Sequence, residues 1–229
     1  MKTEMISIIM PVFNEAAILQ STLDSLSLSE NEELIIVDGG STDNSAEIAR
    51  LYTDNFFTTL SGRASVMNYG TEQASGTILL FLHADCILPE RAYSLIRTTL
   101  AKSSVAAGGF YLGIKHTGRF YRLVEFMANI RAQLTGMIYG DQGMFLRKTT
   151  FEDIGGFANI PLMEDIEISR KLRKKGEIVF ISPSISASPR RWLKEGPIYT
   201  TLRDWVIAFL YSFIKVDPAK LIRHYRDTR

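Results

Sequence analysis

The chain has 229 residues, 46% of them hydrophobic and 22% charged, which is enough apolar side chain to bury a core, and no Pro-, Gly- or Ser-rich tract marks a disordered segment or an interdomain linker. Its formal net charge is only +1, and the basic residues form no compact cluster interleaved with aromatics, which argues against a nucleic-acid-binding protein. The single cysteine, Cys86, excludes an intramolecular disulfide, and MKTEMISIIM enters strand-like sequence without a signal-peptide pattern, so the expected compartment is the cytoplasm.

Taken in chain order, an apolar run at 5–12 (MISIIMPV) precedes a helical pattern at 16–28. A second run at 33–38 (ELIIVD) precedes a short helix at 45–51, a third at 55–60 (NFFTTL) a helix at 64–74, and a fourth follows at 77–85 (TILLFLHAD). Strand-like runs alternating with helical periodicity predict βαβ units and a mostly parallel sheet flanked by helices. Beyond residue 100 the pattern changes. GGFYLGI is followed by an amphipathic stretch at 119–135, an apolar strand within 137–148, and a helix from Met163 that ends at Gly176. The closing segment, Pro197 to Arg226, reads as two helices separated at Asp217-Pro218. One domain is expected over 1–229, with a nucleotide-binding half at 1–100, an acceptor-side half at 101–190 and a C-terminal helical segment at 191–229.

In open α/β sheets ligands bind beyond the carboxyl ends of the strands. The informative residues of the first half stand there: Pro11, Asn14 and Glu15 at the end of the first run, Asp38, Gly39, Gly40, Ser41 and Asp43 at the second, Gly62 and Arg63 at the third, and His83 and Asp85 at the fourth. Taken together, PVFNE (11–15), VDGGSTD (37–43), GRASVMNYG (62–70), HAD (83–85) and MEDIEISRKL (163–172) resemble family-two glycosyltransferases of the GT-A (Rossmann-like) fold. GRASVMNYG, GDQG (140–143) and the RRW at 190–192 are most similar to a small, stand-alone bacterial branch of that family.

The resemblance implies an inverting, metal-dependent transfer of a sugar from a nucleotide-diphosphate donor, a UDP-sugar, to a hydroxyl acceptor. Asp38 and Glu15 are then nucleoside contacts, joined in the donor site by Pro11, Phe13, Arg63, Asn68, His83 and Ala84. Glu15 also reads as an acid favoured by a helix N-terminus, and Asn68 equally as a surface polar residue. Arg63 offers a cationic fork to a diphosphate. Asp85 is the metal candidate for Mn²⁺ or Mg²⁺, because hard cations use one or two carboxylates plus substrate phosphates. The usual DxD pair is incomplete, since His83 takes the first acidic position. That imidazole reads either as a ligand or as a hydrogen-bonded strand-end residue.

An attacking hydroxyl must lose a proton, and Asp165, paired with Glu164 at the head of a helix, matches the family's general base. Asp141, Gln142, Arg191 and Trp192 are assigned to the acceptor side, Arg190 belonging to the same basic-aromatic element. Cys86 reads as a packed, unreactive thiol.

Three rival readings have sequence requirements of their own. A dinucleotide oxidoreductase would need a Gly-rich turn after the first strand, where the chain has PVFNEAA. A nucleotidyltransferase would need a Gly-rich loop with a basic residue there. A catalytically silent module that binds nucleotide-sugars or docks a partner keeps the same fold without turnover. Charge is split along the chain: residues 1–100 hold 5 Lys/Arg against 13 Asp/Glu, residues 101–229 hold 21 against 12. The basic half fits either a solvated face or an anionic partner such as a phosphorylated acceptor or the inner face of a membrane carrying a lipid-linked acceptor. The amphipathic stretches at 119–135 and 197–214 fit peripheral membrane contact, core packing or a homodimer interface alike.

Overall fold

The structure is a computed structural model that describes residues 3–60 and 62–224. The last residues of the expected closing segment, 225 and 226, lie outside the described residues. Eight strands form one sheet in the order β3-β2-β1-β4-β7-β6-β8-β5. They are β1 (Ile6–Val12), β2 (Glu32–Asp38), β3 (Phe56–Thr58), β4 (Ile78–Phe81), β5 (Cys86–Ile87), β6 (Val105–Ile114), β7 (Met144–Arg147) and β8 (Glu177–Ala187). β1 pairs in parallel with both β2 and β4, and β2 with β3. Runs such as Ile6–Met10 and Leu34–Asp38 are buried throughout, as strands covered on both faces must be.

The helices α1 (Ala16–Asp24), α2 (Ser45–Arg50) and α3 (Arg63–Gln73) cross between the first four strands as expected. α3 lies close on the sheet because Gly70 has no side chain: a Cβ there would stand 2.6 Å from Ile9 Cγ2 and 3.1 Å from Val37 Cγ2. Ile6, Ile8 and Met10 face one core and Ile9, Ile35 and Leu79 the other, so the pleat feeds two apolar layers.

The second half locks onto the first through an antiparallel strand. β7 runs against β4, with Phe81 opposite Met144 and Ile78 opposite Arg147, and pairs on its other edge with β6. An antiparallel neighbour begins where its partner ends, so the 3₁₀ turn Gly140–Gln142 that leads into β7 is delivered beside His83–Asp85. The apolar strand expected within 137–148 is thus a turn followed by a four-residue strand. β6 pairs in parallel with β8, and Ala187 at the end of β8 faces Cys86 of β5.

α4 (Ala92–Leu100), α5 (Arg119–Thr135), α6 (Lys148–Asp153), α7 (Glu164–Leu172), α8 (Arg190–Glu195), α9 (Pro197–Phe209) and α10 (Pro218–Leu221) complete the chain. α5 has the predicted limits, whereas α7 stops before Gly176. α9 runs into a π turn, Leu210–Ile214, before the chain restarts at Pro218. Ile166 of α7, Ile207 and Ala208 of α9 and Leu221 form a third, smaller apolar cluster that ties the C-terminal helices to the site helix. Among the described residues no helix is long and apolar enough to cross a membrane.

Candidate active site

The strand order places β2 and β3 on one side of β1 and β4 on the other, so the loops after β1 and β4 diverge at a switch point and leave a crevice between them. The loop after β1 is pinned to the loop after β2. Asn14, at φ 52°, donates its backbone N–H to Ser41 Oγ at 2.8 Å, and its Oδ1 accepts from the Thr42 N–H at 2.8 Å. Asp38 is buried at the end of β2 and accepts from the Ser41 backbone N–H at 3.1 Å and from the Ser41 hydroxyl at 2.5 Å. Pro11 stands within β1 opposite Val37, Phe13 beside Gly39, and the Ala84 carbonyl accepts from Thr22 Oγ1 at 2.6 Å.

Glu15 points inward, 6% exposed, and its Oε2 lies 2.7 Å from Nη1 of Arg190. Nη2 of the same guanidinium lies 3.9 Å from Asp85 Oδ2. Arg190 therefore bridges the carboxylates that follow β1 and β4. It is carried there by β8, because the Ser188 N–H donates to the Asp85 carbonyl at 3.0 Å just before α8 begins. In this structure Glu15 anchors Arg190 rather than standing open to a base. Arg191 pairs instead with Asp204 of α9, and the Trp192 indole donates to Thr201 Oγ1 at 3.1 Å.

His83 packs the Cε1–Nε2 edge of its ring against the Gly140 turn: a Cβ on Gly140 would fall 2.3 Å from His83 Cε1 and 2.5 Å from Nε2. Asp165, on the first turn of α7, accepts at Oδ2 from the Gly140 N–H at 3.1 Å and at Oδ1 from the Ile166 N–H at 2.8 Å. The residue that caps α7, Met163, adopts φ 67°, a left-handed conformation that a side chain takes only when its surroundings compel it. Burial, with the Glu164 carboxylate beside it, pushes Asp165 up to about 7, against the pull of Arg63 and of the Ile166 and Gly140 donors. Burial also raises Asp141, opposed by Arg131 and Arg191 and reinforced by Asp85. The Cys86 thiol is buried, and burial, with Asp85 and Asp141, pushes it well up, which favours its protonated form.

An open cavity of about 180 Å³ collects Arg63, His83, Asp85, Asp141, Glu164, Asp165, Arg191 and Trp192 on one wall or another. Arg131 and Tyr139, which carry no sequence motif, join them: the Arg131 guanidinium carbon lies 3.7 Å from the Tyr139 ring centroid. Periodicity could place Arg131 on α5 but not over that ring.

Two expected site residues have structural partners of their own. Both ends of the Asn68 amide are used on one backbone: Nδ2 donates to the Phe157 carbonyl at 2.9 Å and Oδ1 accepts from the Phe157 N–H at 3.0 Å. Gln142 is buried, 1% exposed, and its Oε1 accepts from the Tyr139 N–H at 3.0 Å, bracing the turn that presents Asp141.

Among the described residues no group of three or more His, Cys, Asp or Glu side chains is placed to hold a metal ion. Asp85, 28% exposed at its side chain and on the cavity wall, would offer one hard oxygen ligand. That donor set fits a divalent cation whose remaining ligands come from substrate phosphates and water, and does not fit an all-protein cage.

The model of the glycosyl transferase family 2 matches residues 7–196. The PGL/p-HBAD biosynthesis glycosyltransferase of Mycobacterium bovis is 41% identical over 99 residues, 39% of each chain. The poly-beta-1,6-N-acetyl-D-glucosamine synthase of Staphylococcus epidermidis is 30% identical over 190 residues, 75% of this chain and 46% of that one. The chain thus matches less than half the length of both these curated relatives. Among solved structures, the mannosyltransferase PcManGT from Pyrobaculum calidifontis, in complex with GDP-Man and Mn²⁺, superposes with a TM-score of 0.70 at 18% identity, over 98% of this chain and 69% of that one. TarS 1–349 from S. aureus, in complex with UDP-GlcNAc, gives 0.65 at 15% identity, over 96% and 70%. These similarities show the GT-A fold.

Proposed function

This chain belongs to glycosyl transferase family 2, and from that premise we propose that it moves a sugar from a nucleotide-diphosphate donor, a UDP-sugar, to a hydroxyl acceptor in one in-line displacement with inversion. The observation that carries the reading is Asp165: a carboxylate at the cavity wall, fixed by two backbone donors and pushed up to about 7, is a base matched to neutral pH. The UDP-GlcNAc and GDP-Man complexes of the two structural neighbours support the donor class.

The donor's nucleoside would lie over the Asp38 loop and its diphosphate near Asp85, Arg190 and Arg63. Asp85 would hold Mn²⁺ or Mg²⁺ together with the phosphates, and the cation's contribution is to offset charge on the departing diphosphate. Arg63 and Arg190 add fixed positive charge on the same side. The acceptor would enter the cavity past Trp192 and Arg131, with its hydroxyl hydrogen-bonded to Asp165, which takes the proton as the glycosidic bond forms. Rigid placement is served by the Gly140 and Ile166 donors, which hold both carboxylate oxygens.

The test is calorimetric titration of UDP and GDP with and without Mn²⁺, with Asp85→Ala as control, followed by the anomeric configuration of any product by NMR. Metal-dependent UDP binding that disappears in the variant, and a product of inverted configuration, are the expected results. Absence of binding for both nucleotides would sink the transferase reading, and retained configuration would sink the single displacement.

A further inference from the structure

The cavity opens between helices whose outer sides are apolar and face water. Along α9 and its π turn, Ile198, Leu202, Val206, Phe209 and Phe213 recur at i, i+4, i+8, i+11 and i+15 and are 54 to 73% exposed. On α5, Leu123 and Phe126 are 56% and 61% exposed. Val124 and Ala128 of α5 and Trp205 and Ile207 of α9 line the cavity itself. The inner sides of both helices are already used, Val124 and Ala128 in one core and Ile207 and Ala208 in another. The outer residues are left largely uncovered, Phe209 and Phe213 packing on each other at 5.1 Å between ring centroids, and together they exceed the scattered single exposures of an ordinary surface.

Cations border this face. Arg119 and Arg122 are exposed on α5, Arg122 paired with Glu125 at 2.8 Å, and Lys215, Lys220 and Arg223 are exposed after α9, whereas Asp217 is the one exposed carboxylate among the described residues from 197 to 223. Aromatic and aliphatic side chains at helical spacing, rimmed by Lys and Arg, are what an interfacial helix presents to anionic headgroups.

We propose that the α5–α9 face docks on an anionic lipid bilayer and holds the cavity mouth at the interface, so that the acceptor hydroxyl is carried by a membrane-borne amphiphile. The acceptor class rests on the reading of the cavity as the transfer site; the docking does not. The full chain is expected to cosediment with vesicles of phosphatidylglycerol and phosphatidylcholine at low salt, and about tenfold less with phosphatidylcholine alone. Leu202→Glu/Phe209→Glu/Phe213→Glu is expected to lose most of the binding while keeping its circular dichroism and its nucleotide titration. In a Trp192→Phe background the emission of Trp205 should shift to shorter wavelength when vesicles are added.

Failure of the wild-type chain to cosediment, undiminished binding by the triple variant, or unchanged Trp205 emission would overturn the docking. So would a wild-type dimer that sedimentation velocity shows converted to monomer by the triple substitution, since the face would then belong to a second copy. Nucleotide titration in the same samples separates the two readings. A chain that binds UDP but no vesicles overturns docking alone, whereas one that binds vesicles but neither nucleotide keeps docking and loses the transfer.

Discussion

Arg63, the first residue of α3, and Glu164, the first of α7, meet at 3.5 Å on the cavity wall, so the helix after β3 and the helix that carries Asp165 share one ion pair. Burial raises Asp165 most, Glu164 raises it further and Arg63 lowers it, so this pair adjusts the proposed base in both directions. Arg63→Ala should therefore raise Asp165 further and move the pH–rate profile of transfer to higher pH, by about half a unit or more. An unmoved profile in a variant that still binds donor would mean that Arg63 acts on the donor alone.

The same carboxylate sets two opposite pH dependences. As a base it works ionised, so kcat/KM should fall about tenfold per pH unit below about 7, where Asp165 is protonated. For stability the sign is reversed. The folded-state value stands above the ordinary one, so the contribution is fully present below pH 3.8 and is lost as pH rises through about 7. Asp165→Asn should abolish transfer, leave UDP binding near wild type, and flatten the decline of Tm between these limits. Turnover in that variant would remove Asp165 from its role.

Asn68→Ala should lower stability by about 1–3 kcal/mol, the net worth of two hydrogen bonds to the Phe157 backbone, while donor affinity stays within about twofold. Denaturant unfolding beside UDP titration measures both. A large loss of affinity without loss of stability would support the donor contact expected from sequence.

Gly140→Ala puts a Cβ where the His83 ring lies, 2.3 Å from Cε1. The ring or the turn must move, at a cost of about 1–3 kcal/mol. The Gly140 N–H that holds Asp165 Oδ2 moves with the turn, so kcat should fall on the order of tenfold or more. Wild-type kcat in this variant would show that the turn is free to adapt.

The first four strands and their crossover helices were legible because their strands are apolar runs and their functional residues stand at strand ends. β8 was not. Its burial is partial, and Ser and Pro183 interrupt EIVFISPSISA, so neither alternation nor a continuous apolar run marks it. That gap hid what β8 positions. The neighbours Arg190 and Arg191 are indistinguishable in sequence, yet the first reaches Glu15 and the second Asp204. The link from Asp165 to Gly140 depends on how α7 seats against the turn before β7, a tertiary relation with no local signal. The Phe157 backbone over Asn68 had no signal either, because helical spacing says which residues share a face and not what packs over it.

The antiparallel insertion of β7 also governs the order in which the chain can fold. β1 to β4 all lie within residues 6–81, so their pairings, which join residues from 20 apart (Ile36 and Phe56) to 72 apart (Ile6 and Ile78), need nothing from the second half of the chain. β4 then waits for residues 144–147 before its outer edge is covered, and β5 waits for residues 186–187. During synthesis the nascent first half therefore presents Ile78–Phe81 as a bare, wholly apolar edge, a template for pairing with another chain. Until β7 arrives that edge is an aggregation hazard, and a chain cut between β4 and β7 would keep it.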